Sequence, residues 1–178
     1  MCDDVMQLNS DLALRKVKLS ICIPTYNRAN FIEETIQSIL SQATSEIEIV
    51  VSDNCSEDNT ENIIRRIQKE SNQITYFRWN ENQGADLNYL KVVELAKGQY
   101  CWLLGSDDLL LPGSIDKILK EINFGYDIYL CNRIDCTYEL RKVKKSDWLI
   151  STPTHIFDFS QSKTVSYTHL TLPTKRIV

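Results

Sequence analysis

Apolar positions along this chain follow two alternating rhythms. Short runs of β-forming residues are each followed by a segment whose apolar positions fall three and four apart. Residues 19–24 read as a first strand closed by Pro24. Asn30 then stands in a capping position before a helix that presents Ile32, Ile36, Ile39 and Leu40 on one face. Residues 47–52 read as a second strand. Asp58 and Glu61 have the spacing of a capping box for a helix carrying Ile63, Ile64 and Ile67. Residues 74–79 form a third predicted strand, followed by a helix with Leu87, Leu90, Val93 and Leu95 that stops at Gly98. Residues 100–104 are a fourth strand. Pro112, Gly113 and Ser114 open a helix through Ile115, Ile118 and Leu119, and residues 126–131 read as a fifth strand.

This alternation predicts an α/β fold, a mostly parallel sheet with helices on both faces. Ligands of such sheets bind at the carboxyl ends of the strands. Attention therefore falls on the residues after Ile23, Val51, Trp79 and Leu104. The first strand ends in Pro24, Thr25, Tyr26, Asn27 and Arg28, with no glycine. Neither G-x-G-x-x-G nor G-x-x-x-x-G-K-[ST] is present there, which argues against a dinucleotide enzyme and a P-loop ATPase. The segment offers polar side chains and a ring that could meet a base, or a plain β-to-α turn. After the second strand, Asp53 is expected to point into the crevice and accept bonds from a base N–H or a ribose hydroxyl. Asp58 reads as a helix cap, and Asn54 and Ser56 as turn formers.

After the third strand, Gly84 permits a positive φ or a close backbone approach. Asp86 reads either as a helix-start charge or as a ligand contact. After the fourth strand come Gly105, Ser106, Asp107 and Asp108. Two adjacent carboxylates there read as a solvated turn or as a site where a cation offsets their repulsion. Hard oxygen donors would favour Mg²⁺ or Mn²⁺, completed by water and substrate phosphates. Taken together, these strand ends describe a site for a nucleoside diphosphate with a metal on its diphosphate.

The chain has 178 residues, enough for one domain with a real core. The net charge of −4, without a basic block, excludes electrostatic nucleic-acid binding as a reading. No apolar run reaches the length of a membrane span, and the first residues lack the regions of a signal peptide. The six cysteines include no C-x-x-C pair and read as thiols of a reducing cytosol. His155 and His169 lie far apart with no companion ligands. Residues 1–17 are polar and read as a flexible N-terminal segment.

Four blocks in order, residues 19–28, 49–60, 82–84 and 104–112, resemble the successive motifs of family-2 glycosyltransferases with the Rossmann-like GT-A fold. The resemblance covers about residues 17–135, and the wording around 84–88 and 100–108 is similar to the abequosyltransferase-like O-antigen branch. It implies an inverting transfer of a sugar from a nucleotide-diphosphate-sugar to a glycan or lipid-linked acceptor, at the inner face of the cell membrane. It implies that Pro24, Thr25, Tyr26 and Asp53 line the nucleoside pocket. Asn27, Gly84, Asp86 and Ser106 join them as candidate nucleotide-binding residues. Asp107 matches the metal-binding Asp that closes a D-x-D motif. The first acid of that motif is Gly105 here, so the metal would rest on Asp107, with Asp108 as second candidate.

The resemblance also implies a general base in an acceptor-side half. Residues 136–165 would begin that half, yet beyond Glu139 only Asp147 and Asp158 are present, and neither sits in a Glu-Asp pair. Residues 166–178 do not continue the family pattern and resemble translated sequencing-adapter DNA. The natural sequence is therefore expected to stop near Val165, with a C-terminal half lost. Two other functions compete: a sugar-phosphate nucleotidyltransferase, which would carry a glycine-rich basic signature after the first strand, and a non-catalytic nucleotide-sugar-binding module.

Overall fold

The computed structural model describes residues 17–131, 133–136, 143–145 and 176–177. The elements run β1 (Leu19–Thr25), α1 (Ile32–Leu40), β2 (Ile47–Asp53), α2 (Thr60–Glu70), β3 (Ile74–Arg78), α3 (Ala85–Leu95), β4 (Tyr100–Leu103) and α4 (Ser114–Glu121). A 3₁₀ turn (Ile122–Phe124), β5 (Asp135–Cys136), β6 (Val143–Lys145) and β7 (Arg176–Ile177) follow. The chain divides into two compact units, one of residues 1–129 with 172–178 and the other of residues 130–171. In the second unit β5 and β6 pair antiparallel. Of the sequence-based segments, 1–16, most of 136–165 and most of 166–178 lie outside the described residues.

The first unit is built on a sheet of order β3-β2-β1-β4-β7 whose pairs are all parallel. β1 is central. The chain winds outward through β2 and β3, then crosses back to lay β4 on the other side of β1. That reversal opens a crevice at the carboxyl ends of β1 and β4.

Alternation along the strands sorts the side chains to two faces. Leu19, Ile21 and Ile23 join Ile47, Ile49, Val51, Tyr100 and Trp102 on one face, under Ile32, Ile36 and Ile39 of α1, Ile64 and Ile67 of α2, and Ile115, Ile118 and Leu119 of α4. Each fully buried isoleucine contributes about 1.5–3 kcal/mol relative to exposure. Cys22, Val50 and Cys101 fill the other face, under Val92, Val93 and Ala96 beside α3. Helices therefore cover both faces, as the alternation predicts. Among the described residues no helix is long and apolar enough to cross a membrane.

Four details differ from the sequence reading. The buried stripe of α3 is Asn88, Val92 and Val93, continued by Ala96, whereas Leu87 is exposed. Small residues and one amide let α3 lie close on the strand ends, which bulky leucines would prevent. Asn30 does not cap α1; Phe31 occupies that position, and the turn is closed by Phe31 and Ile32 N–H groups donating to the Arg28 carbonyl. Asp58 and Glu61 form no capping box, because Glu61 is drawn to Arg65 and Arg78. Residues 126–131 form only an isolated β-bridge at Ile128 in place of a strand. Tyr126, Ile128 and Leu130 are exposed there, so no buried face drives an extended conformation.

Gly98 marks a close approach at the opposite edge of the sheet. A Cβ on it would lie 2.7 Å from the Ser20 backbone nitrogen and from Ser20 Oγ. Gly98 N–H donates to Ser20 Oγ, and Ser20 in turn donates to the buried Glu48 carboxylate. Gly98→Ala is expected to destabilise the unit by about 1–3 kcal/mol, read by chemical denaturation.

Candidate functional site

Thr25 and Asp53 are register partners at the ends of neighbouring strands, and the loop after β4 leaves the same edge. Residues 53 and 107 thus belong to one side of the sheet, as a shared site requires.

The loops after β1 and β2 are clasped together. Asn27 adopts a positive φ of 52°. Its backbone N–H donates to Ser56 Oγ (2.9 Å), and its side-chain oxygen accepts from Glu57 N–H (2.8 Å). Arg28 N–H donates to Thr60 Oγ1 (2.9 Å). Asp58 accepts from Ala29 N–H (3.0 Å) with one oxygen and from Thr60 N–H (3.0 Å) and its hydroxyl with the other. Desolvation raises the Asp58 pKa, but these bonds from Thr60 and Ala29 outweigh it and hold the carboxyl below its ordinary value. A depressed carboxyl stabilises the fold fully above its ordinary pKa, and that contribution is lost as pH falls through the lowered one. The N-cap of α2 is Asn59 rather than Asp58; Asp58 holds Thr60 at the helix start and clasps the two loops together.

Asp53 is engaged from several sides within the protein. Its residue is fully buried. One oxygen accepts from Ser56 N–H (2.9 Å) and Ser56 Oγ (2.6 Å), and the other from the Tyr76 hydroxyl (2.8 Å). Arg78 Nε stands 3.8 Å away. Burial and the bond to Asp53 push the Tyr76 phenol far above its ordinary value, so it stays protonated and donates. The carboxylate is thus buried and held by Ser56 and Tyr76. It fixes Ser56, which in turn holds Asn27.

Pro24 and Thr25 are buried in β1, and Tyr26 beside them is exposed. Thr25 Oγ1 is buried with no hydrogen-bond partner among the described residues. Such a hydroxyl costs stability unless something supplies a bond. Asn88 reaches from α3 to both strand ends. Its Nδ2 donates to the Thr25 carbonyl (3.2 Å) and the Ser52 carbonyl (2.9 Å), and its Oδ1 accepts from Ser52 Oγ (2.7 Å). Asn54 holds the approach to α3, donating to Asn82 and accepting from Gln83 N–H. Gly84 caps α3 at φ 82°, with open space where a Cβ would stand; its conformation, not crowding, calls for glycine. Asp86 lies exposed in the first turn of α3, where its charge suits the helix dipole.

The loop after β4 rests on α1. Ser106 is buried, and its carbonyl accepts from Thr35 Oγ1 (3.1 Å). Leu110 N–H donates to Ser38 Oγ, and Gln42 donates to the Leu111 carbonyl. This support leaves Asp107 and Asp108 exposed at the tip. Asp108 Oδ2 accepts from Gly105 N–H (3.2 Å). A Cβ at Gly105 would lie 2.6 Å from that oxygen, so Asp108 fills the space an acid at 105 would need. Arg28 Nε stands 3.8 Å from Asp107 Oδ2, a positive group at the carboxylate expected to meet a cation. Among the described residues no three acidic, His or Cys side chains gather as a metal cage. A divalent ion on Asp107 would need diphosphate oxygens and water for the rest of its shell.

Arg28, Thr35, Tyr76 and Asn88 are the contributors that the sequence reading leaves out. Asn88 carries one usable signal, an amide four residues before Val92 on what proves to be the buried stripe. The others act through contacts far apart in the chain.

The family model described as Glycosyl transferase family 2 matches residues 20–174. Abequosyltransferase RfbV of Salmonella typhimurium is 40% identical over 136 residues, covering 74% of this chain and 41% of that protein. The GalNAc(5)-diNAcBac-PP-undecaprenol beta-1,3-glucosyltransferase of Campylobacter jejuni is 36% identical over 110 residues, covering 61% and 36%. Among solved structures, S. aureus TarS 1–349 in complex with UDP-GlcNAc superposes with a TM-score of 0.57 at 26% identity, covering 61% of this chain and 32% of that one. The chain thus spans about two fifths or less of the length of these relatives.

Proposed function

Because the chain belongs to glycosyl transferase family 2, we propose that its first unit binds the diphosphate-linked donor of an inverting sugar transfer to a glycan or lipid-linked acceptor. The pathway we infer is cell-surface polysaccharide or O-antigen synthesis, in the cytoplasm or at the inner face of the cell membrane. The observation that carries the reading is the exposed Tyr26 ring and Asp107 carboxylate at the strand edge where β1 ends in the buried Thr25. A nucleoside would cover the ring.

In this reading Pro24, Thr25, Tyr26 and Asn27 form the nucleoside wall, and Gly84, Asp86 and Ser106 border it. Asp53 supports the wall through Ser56 rather than by touching the ligand. Asp107 would hold Mn²⁺ or Mg²⁺, with Asp108 as its secondary partner. The chemistry the ion supplies is neutralisation of charge on the departing diphosphate. The general base belongs to the acceptor side, which we place beyond residue 135.

Gly105, where the D-x-D motif has its first acid, favours a second reading, a nucleotide-sugar-binding module without transfer. Calorimetric titration of UDP and GDP, with and without Mn²⁺, tests both. Metal-enhanced binding of one nucleotide is expected. Hydrolysis of the matching nucleotide-sugar then marks an enzyme, and binding without hydrolysis marks a module. A folded sample that binds neither nucleotide defeats both readings.

A further inference from the structure

We propose that Arg28 is a diphosphate-binding residue that neutralises Asp107 until cation and donor arrive, then exchanges that carboxylate for the diphosphate. The proposal rests on the donor reading above and deepens it.

The geometry carries the argument. Arg28 follows β1 and Asp107 follows β4, so the pair spans the crevice where the winding of the sheet reverses. Its backbone is pinned, since Arg28 N–H donates to Thr60 Oγ1 and the Arg28 carbonyl accepts the first bonds of α1. The side chain therefore leaves from a fixed point while its head stands in solvent. Its Nη1 reaches the Asn27 carbonyl at 3.4 Å, and its Nε stands 3.8 Å from Asp107 Oδ2. Side-chain exposures of 44% for Arg28 and 52% for Asp107 leave the pair well solvated.

An exposed pair at that distance contributes little to stability and separates easily. A divalent ion on Asp107 would compete directly with the guanidinium. Once displaced, the guanidinium stands at the mouth of the same crevice, and its planar fork suits two phosphate oxygens better than an ammonium would. The exchange leaves no charge unpaired. Empty, the site pairs arginine with aspartate; filled, it pairs aspartate with metal and arginine with diphosphate.

The test uses the full chain and two opposed readings. For Arg28→Gln, Mn²⁺ affinity without nucleotide is expected to rise about threefold, because a competing cation is gone. In saturating Mn²⁺, affinity for UDP or GDP, whichever the wild type binds, is expected to fall about tenfold. Affinity for the matching nucleoside and the thermal midpoint should stay unchanged. Arg28→Lys should restore wild-type Mn²⁺ affinity yet recover only part of the nucleotide affinity. If Arg28→Gln leaves nucleotide affinity unchanged, or weakens metal and nucleotide together, the exchange is wrong and the donor reading stands. If the wild type binds neither UDP nor GDP, both fall.

Discussion

Asp107→Asn is expected to abolish the effect of Mn²⁺ on nucleotide binding, with a loss of tenfold or more in affinity for UDP or GDP at saturating metal. The amide keeps the shape of the side chain and removes the charge. Asp107 is exposed, and its loop is carried by bonds from Thr35, Ser38 and Gln42 that do not involve its carboxylate. Folding should therefore be unaffected, and the thermal midpoint without ligand should match the wild type. A hard divalent ion holds an anionic oxygen far better than a neutral amide, so a site with few protein ligands has little left after the change. Asp108→Asn provides the graded comparison. Its Oδ2 is engaged by Gly105 N–H, so a smaller loss is expected there. Equal metal enhancement in the Asp107→Asn variant and the wild type would remove the cation from Asp107.

Why the site was only partly legible follows from where its parts come from. The βα alternation carried the sheet, because strands buried on both faces must be apolar runs and helices must present a stripe. It also put Tyr26, Asp107 and Asp108 on an exposed edge, since parallel strands leave only one edge at which their following loops can gather. Asp53 shows the limit. Its position at a strand end was readable, but its surroundings were not, because Ser56 and Tyr76 reach it from a loop and a neighbouring strand. A strand-end carboxylate looks the same in sequence whether it faces a ligand or a ring of donors. The α3 stripe failed for a related reason. Leu87 outranks Asn88 on hydropathy, yet the strand ends beneath α3 expose carbonyls that need a donor, and an amide meets that need. The predicted strand at 126–131 shrinks to a bridge at Ile128, with Tyr126, Ile128 and Leu130 left exposed.

The largest stability effect is expected at Asn88. Replacing it with leucine keeps the branched shape, adds bulk against the strand ends and removes every polar atom of the side chain. The Ser52 carbonyl would lose a donor, Ser52 Oγ would lose its acceptor, and the Thr25 carbonyl would keep only its bond from Asn54 N–H, all at a buried position. Leaving buried polar groups unsatisfied costs about 1–3 kcal/mol apiece, and some of that is recovered by relaxation and water. A net loss of about 3 kcal/mol is expected, or a fall of about 10 °C in the melting temperature. Leu87→Ala, one residue away but exposed, should change stability by less than about 0.5 kcal/mol. The pair of variants also separates structure from binding. Because Asn88 ties the end of β1 to the end of β2, its loss should loosen Thr25 and the loop bearing Tyr26, lowering nucleotide affinity in step with stability. If Asn88→Leu instead lost nucleotide affinity with its melting temperature unchanged, the amide would be a ligand contact, and the brace described for it would be wrong.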